Sequence, residues 1–311
     1  MTQTIAMGTG AEFDAIREMI ERWGTRATGI GDDAGVIDVP RGDLLVASVD
    51  TAVEDKHFRA EWLTPREISY RAVAAALSDL AAMASRPLGV LVAMTVPDRW
   101  RDRLSQLADG IGDALDVAGT TIRGGNLSDG SDLSITTTVF GSAFAPLRRA
   151  EAKPGEHVYV TGALGAPATA LRLFGEGKSA GEYRERFAHP VPRIGEAIWL
   201  ADRGASAAID VSDGLVADVA HLATASGVCI ELDASRVPRF SGVAAETALA
   251  GAEEYELVVT AAMEFDVDEF SRRFSLPLTR VGAVTPMIAG RPVIVHGANI
   301  EGMRGYDHFS R

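Results

Sequence analysis

The sequence predicts an α+β protein made of two mixed domains, residues 1–150 and 151–311. Helix-like and strand-like patterns follow one another without the strict alternation that marks a βαβ fold. The stretch 145–155 contains two prolines among charged residues, which is typical of a linker, and the pattern of strands and helices restarts after it. With 311 residues, the chain is long enough to form two domains of ordinary size.

Apolar spacing and capping residues predict the elements of the first domain. Residues 12–23 place apolar side chains at helical intervals, and the alanine-rich helix 65–84 starts at Thr64 and Pro65. Short apolar runs predict strands. The elements predicted here are helices at 12–23, 65–84 and 98–118, and strands at 44–49, 89–96 and 133–141.

The second domain begins with a strand at 157–161, followed by the glycine turn Gly162–Gly165. We expect the turn to be either a plain connector or a loop that offers backbone amides to an anion. The domain as a whole is expected to be an α+β sandwich. Its other predicted elements are helices at 166–174, 190–203 and 215–226, and strands at 229–232, 257–260, 278–284 and 292–295.

The charge balance excludes a nucleic-acid partner. Acidic residues number 43 and basic residues 30, so the formal net charge is −13, whereas phosphate backbones are bound by clustered Lys and Arg. Apolar residues make up 47% and charged residues 23%, the balance of a folded globular protein. An acidic protein can still bind ATP when divalent cations neutralise the phosphates.

The chain shows no pattern that predicts secretion or membrane insertion. Its single cysteine, Cys229, lies in an apolar run, so we expect a buried thiol and no intrachain disulfide. Residues 1–12 lack the features of a signal peptide, and the most apolar stretch, 72–96, is interrupted by Asp79 and Arg86. We therefore expect a cytoplasmic protein without a membrane partner.

Two common nucleotide motifs are present only as fragments. Gly177–Ser179 matches the end of a Walker A loop, but Arg172 stands where the first glycine is required. The run Gly29–Ala34 mimics a dinucleotide fingerprint, yet Asp32 and Asp33 would repel a pyrophosphate. Nucleotide chemistry in this chain would therefore depend on metal ions held by acidic loops.

Five short polar motifs supply oxygen ligands of the kind that Mg²⁺ prefers. Each also has an ordinary structural interpretation: Asp33 is a possible turn residue, and Ser212–Gly214 a possible cap for the helix that begins at Leu215. Asp79 is the exception, because it interrupts an apolar helix where a buried carboxylate needs a partner. The motifs, interpreted as loops, are Gly31–Asp33, Ser48–Thr51, Leu77–Leu80, Gly124–Asn126 and Ile209–Gly214.

Taken together, these motifs resemble thiamine-monophosphate kinases, a family of the ATP-binding superfamily that also contains aminoimidazole ribonucleotide synthetase. The resemblance extends through nearly the whole chain. Its most specific parts are Gly29–Ala34, Val49–Thr51 followed by His57 and Phe58, Leu77–Met83, Lys153–Gly155 leading into Tyr159–Gly162, Ile209–Leu215 and Gly305–Phe309.

The resemblance implies a fold, a reaction and a set of site residues. The expected protein is a homodimer whose N-terminal domains pair to form a β-barrel, with the active site between the two domains of each chain. The implied reaction transfers phosphate from ATP directly to thiamine monophosphate, with no catalytic general base. Implied magnesium ligands are Asp33, Ser48, Asp50, Asp79, Asn126, Asp210 and Asp213; implied ATP contacts are Gly125 (in a glycine turn), Asn126, Arg149 and Ser212; implied substrate contacts are His57, Glu253 and Tyr306.

Three departures from the family pattern leave alternatives open. Asn126 replaces an aspartate, the segment Gly251–Glu256 carries Ala252 and Glu254 in place of glycine and aspartate, and Asp55–Lys56 adds a charge pair before His57. One alternative is another ATP-dependent enzyme of the superfamily, and a second is a catalytically weakened protein that binds thiamine phosphate. Without the resemblance, His57 and Tyr306 would be structural residues and Glu253 part of a solvated acidic run.

Overall fold

The structure is a computed structural model that describes residues 10–30, 34–288, 290–301, 303 and 305. It forms two compact units. The first takes in the described residues up to Leu80 together with Ser85–Ala145 and Ala188–Pro192; the second takes in Ala81–Ala84, Pro146–Phe187 and the described residues from Arg193 onward. No helix in the described ranges is both long and apolar enough to cross a membrane.

The first unit contains one open four-stranded sheet in the order β1-β4-β2-β3. β4 pairs antiparallel with both β1 and β2, whereas β3 runs parallel to β2. The helices are α1 (Ala11–Trp23), α2 (Pro65–Ala82) and α3 (Leu104–Ala118), and the strands are β1 (Leu44–Val53), β2 (Arg86–Thr95), β3 (Ile122–Ser128) and β4 (Ser134–Ala143).

The two faces of this sheet differ in exposure. Successive strand residues point to opposite faces, and the face that carries Val92 and Thr137 is buried under helices that include α2. On the opposite face, Leu45 is 53% and Val49 61% exposed. The sheet therefore has one covered and one open face.

Three bidentate ion pairs connect α3 to α1, α2 and the turn after α1. Asp109, Asp113 and Asp116 share one side of α3 and accept hydrogen bonds from the guanidinium groups of Arg22, Arg66 and Arg26, respectively. Exposed pairs of this kind contribute little to stability, so they orient the helices more than they stabilise the unit.

Two predictions for the first unit were wrong. The predicted helix 98–118 begins as a 3₁₀ segment over Asp98–Arg103, and α3 starts only at Leu104. Gly124–Asn126 lies inside β3 and not in a turn. Glycine is required at Gly125 because a Cβ there would lie 2.0 Å from the carbonyl oxygen of Val92 on the parallel neighbouring strand.

The second unit contains a six-stranded mixed sheet in the order β10-β7-β9-β5-β8-β6. Only β10 and β7 are parallel; the other neighbours are antiparallel. The strands are β5 (His157–Thr161), β6 (Ala205–Asp210), β7 (Val228–Asp233), β8 (Leu257–Ala261), β9 (Leu278–Pro286) and β10 (Val293–His296), and the helices are α4 (Ala166–Gly175), α5 (Tyr183–Ala188), α6 (Ile194–Ala201), α7 (Leu215–Ser226), α8 (Ala245–Ala250) and α9 (Val267–Phe274).

Helices cover both faces of this second sheet. Val158 and Val160 of β5 belong to the buried cluster that includes α7 and α8. Tyr159, between them, points the other way and contacts Phe265 at a ring distance of 5.0 Å, and Phe265 in turn lies 6.3 Å from Trp199 of α6. The predicted C-terminal sandwich is thus a sheet between two helical layers.

Candidate active site

A carboxylate from the interior of α2 meets the middle of β1. The hydroxyl of Ser48 donates a 2.5 Å hydrogen bond to Asp79, so this partly buried helix carboxylate has a polar partner, as expected. Asp50 lies two residues beyond Ser48 and faces the same side of the sheet; it is exposed and accepts the amide of Thr51 at 3.1 Å. The polar motifs at Ser48–Thr51 and Leu77–Leu80 therefore lie within regular elements and not in loops.

Asn126 lies apart from these three donors. Two strands separate β3 from β1, which places the two strands roughly 14 Å apart at the usual strand spacing. Asn126 also belongs to a row of paired residues on the open face, opposite to the Ser48–Asp79 side. That row is Thr51, Thr136, Ala93 and Asn126. A metal ion at Asn126 would consequently be a different ion from one held by Asp79.

The turn after β1 fixes the orientation of His57. The backbone amide of Val53 donates to Nδ1 of His57 at 3.1 Å, so in the neutral ring Nε2 carries the proton and can donate to an anion. Glu54 stabilises this turn. Its buried Oε2 accepts hydrogen bonds from Arg99, the indole of Trp100 and the amide of Leu133, at 2.8, 3.0 and 3.2 Å.

The second unit places three predicted site residues, two metal ligands and one nucleotide contact, at the end of β6 and in the loop that leads to α7. Asp210 is the buried last residue of β6, and Ser212 and Asp213 follow it. Gly214 is the N-cap of α7, as the structural interpretation of Ser212–Gly214 expected, but no side chain of the motif caps the helix through a hydrogen bond. Gly214 has φ 114°, and a Cβ there would lie 2.8 Å from the carbonyl oxygen of Ala250.

A buried helix carboxylate binds the backbone of this loop. One oxygen of Asp218 accepts the amides of Ser212, Asp213 and Gly214 at 3.0, 3.0 and 3.1 Å. Burial raises the pKa of Asp218 to about 7, and the negative charges of Asp210 and Asp213 add to this effect. The loop is therefore a region of concentrated negative charge that a cation would stabilise.

A complete metal site is absent from the described residues. Within those ranges no group of three carboxylate, imidazole or thiol side chains is placed to hold an ion. Magnesium bound to Asp210 and Asp213 would need further oxygen ligands from water or phosphate, as is common for this ion.

The segment Gly251–Glu256 lies against the same loop and is not a solvated run. The amides of Glu253 and Tyr255 donate to the carbonyls of Ser212 and Val211, both at 2.8 Å. Glu253 and Tyr255 both have positive φ, 70° and 52°, which is uncommon for residues with side chains. The hydroxyl of Tyr255 donates to Glu253 at 2.7 Å. A predicted substrate contact, Glu253, and a predicted nucleotide contact, Ser212, are thus joined by a backbone hydrogen bond.

The side chain of Glu254 contacts the glycine turn, Gly162–Gly165, that precedes α4. Its Oε1 accepts the amide of Gly165 at 2.6 Å, so that amide is not available to an external anion and the turn serves as a connector. Glu254 is only 2% exposed, and its second oxygen has no hydrogen-bond partner among the described residues. Burial raises the pKa of Glu254 to about 8 even though the Gly165 amide lowers it.

We expect the protein to lose stability as the pH rises, because of Glu254. The pKa of Glu254 in the folded protein is above the ordinary value. The stability that this residue contributes is therefore fully present below about pH 4 and is lost as the pH rises through about 8. One proton corresponds to about 1.4 kcal/mol of unfolding free energy per pH unit over that range. Urea unfolding of Glu254→Gln between pH 5 and 8 should show a shallower dependence than the wild type. The exposed control Glu246→Gln should keep the wild-type slope; equal slopes for all three proteins would contradict the prediction.

Arg149 lies at the other end of α7 from the acidic loop. Its carbonyl accepts a 2.6 Å hydrogen bond from Ser226, the last residue of that helix, and within the described ranges its exposed side chain makes no ion pair. Twelve helical residues span about 18 Å. Arg149 and Ser212 are therefore not brought to the same phosphate group within this unit. Asp33 and Tyr306 lie outside the described residues.

Residues 31–143 match the family model of the AIR synthase related protein N-terminal domain, and residues 153–289 match that of the C-terminal domain. Thiamine-monophosphate kinase of Salmonella typhimurium is 33% identical over 91% of this chain and 92% of its own length.

Two solved structures extend the comparison. Thiamine-monophosphate kinase from Stenotrophomonas maltophilia K279a aligns with a TM-score of 0.82 and 31% identity, over 90% of this chain and 96% of the other. AaThiL in complex with AMPPCP and TMP aligns with a TM-score of 0.77 and 26% identity, over 99% of this chain and all of the other. The chain belongs to the thiamine-monophosphate kinase family, within the AIR synthase related proteins.

Proposed function

We propose that the protein transfers the terminal phosphate of ATP to thiamine monophosphate, giving ADP and thiamine diphosphate. The observation that carries this proposal is the hydrogen bond from the amide of Glu253 to the carbonyl of Ser212. It joins a residue proposed to bind substrate to the loop proposed to bind the metal-bound nucleotide. The related AaThiL was crystallised with an ATP analogue and TMP, which supports the same pair of ligands.

The proposed magnesium ligands have the right chemistry for this ion. The Ser48–Asp79 pair with Asp50, and the Asp210–Asp213 loop, offer hard oxygen donors on short side chains. When bound, the ions would neutralise phosphate charge. Asp33 and Asn126 are proposed as further ligands, and Arg149, Ser212 and Gly125 as nucleotide contacts.

The proposed reaction needs positioning more than acid–base catalysis. The attacking group is a phosphate oxygen of the substrate, which is already ionised at neutral pH, so no side chain has to remove a proton. The residues of the chain hold donor and acceptor in line and offset their mutual repulsion. We therefore propose direct transfer; a covalent phosphoprotein isolated after reaction with labelled ATP would contradict it.

The residues proposed to bind thiamine monophosphate have complementary chemistry. Nε2–H of His57 is a donor suited to the phosphate, and the carboxylate of Glu253 is suited to the cationic thiazolium ring. Tyr306 is proposed as an aromatic contact. Each of the three roles is a proposal from the family pattern.

Tyr255 is expected to set substrate affinity through Glu253. Because its hydroxyl donates to the Glu253 carboxylate at 2.7 Å, Tyr255→Phe should let that carboxylate turn away while the ring stays packed. We expect the KM for thiamine monophosphate to rise about 3- to 10-fold with kcat changed less than about twofold. Steady-state kinetics test this against Tyr183→Phe, which removes a hydroxyl bonded to Ser241 instead. Equal KM values for the two variants would contradict the prediction.

We also propose that the first unit pairs with a second copy to form a barrel. β1 is an edge strand that runs ten residues, and exposed edges of this length are usually covered. Leu44 and Leu45 are about half exposed and Phe144 is 81% exposed beside it. Residues 1–150 would then provide dimerisation and magnesium–ATP binding, and residues 151–311 would complete the nucleotide and substrate site. Sedimentation at micromolar concentration tests this, and a monomer would contradict it.

Product analysis with ATP, magnesium and thiamine monophosphate tests the main proposal. Thiamine diphosphate should form, and chelation of the metal should stop its formation. Binding of thiamine monophosphate without turnover would instead indicate the weakened binding protein. No binding would indicate a superfamily enzyme with a different small metabolite as substrate.

A further inference from the structure

Asp218 faces inward toward the loop that precedes its own helix. It lies in the first turn of α7, is 2% exposed, and accepts three consecutive amides with one oxygen. Amides before a helix usually bind water, a cap or an anionic ligand. Here the carboxylate of Asp218 accepts all three amides, so they are not available to bind a phosphate group.

The same contact fixes the loop on two sides. The amide of Ser212 donates to Asp218, while its carbonyl accepts the amide of Glu253 at 2.8 Å. With the backbone held in this way, the side chains of Ser212 and Asp213 are the groups left to contact a ligand. Both are partly exposed, whereas Asp218 is not.

The arrangement is unfavourable for stability alone. Asp218 is buried beside two other carboxylates, Asp210 and Asp213, whose like charges oppose its own. An apolar residue would pack in α7 at lower cost, but it could not accept the three amides. The geometry thus favours a role in shaping the loop.

We propose that Asp218 is a positioning residue that holds Ser212–Gly214 in the conformation in which Asp213 and Ser212 meet the metal-bound phosphates of ATP. This inference rests on the function proposed above. In this role Asp218 contacts neither substrate nor metal, and it acts through the backbone of the loop.

Glu156 provides a matched control for a purely structural role. It is also a buried carboxylate of the second unit, 5% exposed, and it accepts the amide of Lys153 at 3.0 Å and the hydroxyl of Ser206 at 2.7 Å. Among the described residues its hydrogen bonds do not involve the acidic loop, so Glu156→Ala should lower the melting temperature without changing the loop.

The test measures Mn²⁺ affinity in the presence of AMPPCP, and amide exchange at residues 212–214, on the full chain. Asp213→Ala defines the part of Mn²⁺ binding that depends on the loop. We expect Asp218→Ala to weaken that part at least about tenfold and to speed exchange of the three amides. Glu156→Ala should change neither.

If the alanine variant does not fold, Asp218→Asn takes its place, because it keeps the shape of the side chain. Its amide oxygen is a weaker acceptor, so we expect about threefold weaker Mn²⁺ binding and faster amide exchange without a lower melting temperature. Wild-type Mn²⁺ affinity in the folded Asp218 variants, or an equal loss of Mn²⁺ affinity in Glu156→Ala, would overturn this inference but not the proposed function. A wild-type protein that binds no Mn²⁺ would overturn the proposed function together with it.

Discussion

Replacing Asp213 by alanine is expected to reduce kcat/KM for phosphoryl transfer by about 10³-fold or more. The substitution removes one of the two carboxylates, Asp210 at the end of β6 and Asp213 in the loop after it, that are proposed to bind a cation. Charge stabilisation by a bound metal contributes several kcal/mol to such reactions. Each 1.4 kcal/mol corresponds to about a tenfold change in rate. Asp210 and the three amide contacts to Asp218 stay in place, so the protein should still fold.

Asp233→Ala is the matched control for this loss. Asp233 is the last residue of β7 in the second unit, as Asp210 is of β6, and it accepts the amide and hydroxyl of Ser235 at 3.0 and 2.6 Å. Its removal should change kcat/KM less than about twofold, because its side chain is exposed at the end of the strand. Rates measured over a range of magnesium concentrations decide the matter: an Asp213→Ala enzyme within tenfold of the wild type at every concentration would exclude a metal role for Asp213.

Regular, strongly patterned elements of this fold were predictable from the sequence. The predicted helix 215–226 is α7 with the same ends, because its apolar positions repeat at helical spacing and Gly227, with φ 67°, terminates it. β5 likewise matches the predicted strand 157–161. Cys229 is buried, as expected from its apolar neighbours.

The elements that the sequence did not reveal have weak local signals. β6 is mostly alanine and serine, which do not favour strands, and it forms because β8 pairs with it. β3 contains two glycines that suggested a turn, although they permit close pairing with β2. α5 and α8 have six residues each, too few for a helical repeat to stand out.

The residues proposed as metal ligands stand out in the sequence, whereas the groups that hold them in place do not. Asp210, Asp213 and Asp79 belong to short motifs that stand out, whereas Asp218 and Glu54 resemble ordinary surface charges in sequence. One signal was available: Asp218 falls on the helix face defined by Leu215 and Leu222, where a carboxylate interrupts an apolar stripe. Burial of Glu54 depends on partners more than 40 residues away, which no local pattern contains.

Glu256 shows how buried charges stabilise the second unit. It has 0% exposure and accepts two hydrogen bonds from Arg193, at 2.9 and 2.6 Å, one from Arg186, and one from Thr161 at 2.6 Å. Burial by itself raises the pKa of Glu256, but the charges of Arg193 and Arg186 outweigh that effect and hold the pKa below its ordinary value. The carboxylate is therefore ionised inside the protein and depends on its partners.

Arg193→Ala is expected to lower the free energy of unfolding of the second unit by about 3–5 kcal/mol. Removing one partner of a buried ion pair leaves the other charge desolvated. Here the two hydrogen bonds from Arg193 are lost, and Arg186 keeps only the one that it already donates to Glu256. Urea unfolding measures the loss of stability, and amide exchange in β8 measures it at that strand. Arg172→Ala is the matched control, since its ion pair with Glu176 is exposed and should contribute little to stability. Were the two arginine variants equally stable, water would have to reach Glu256 in the folded state, and the buried network would not be what holds β8 in place.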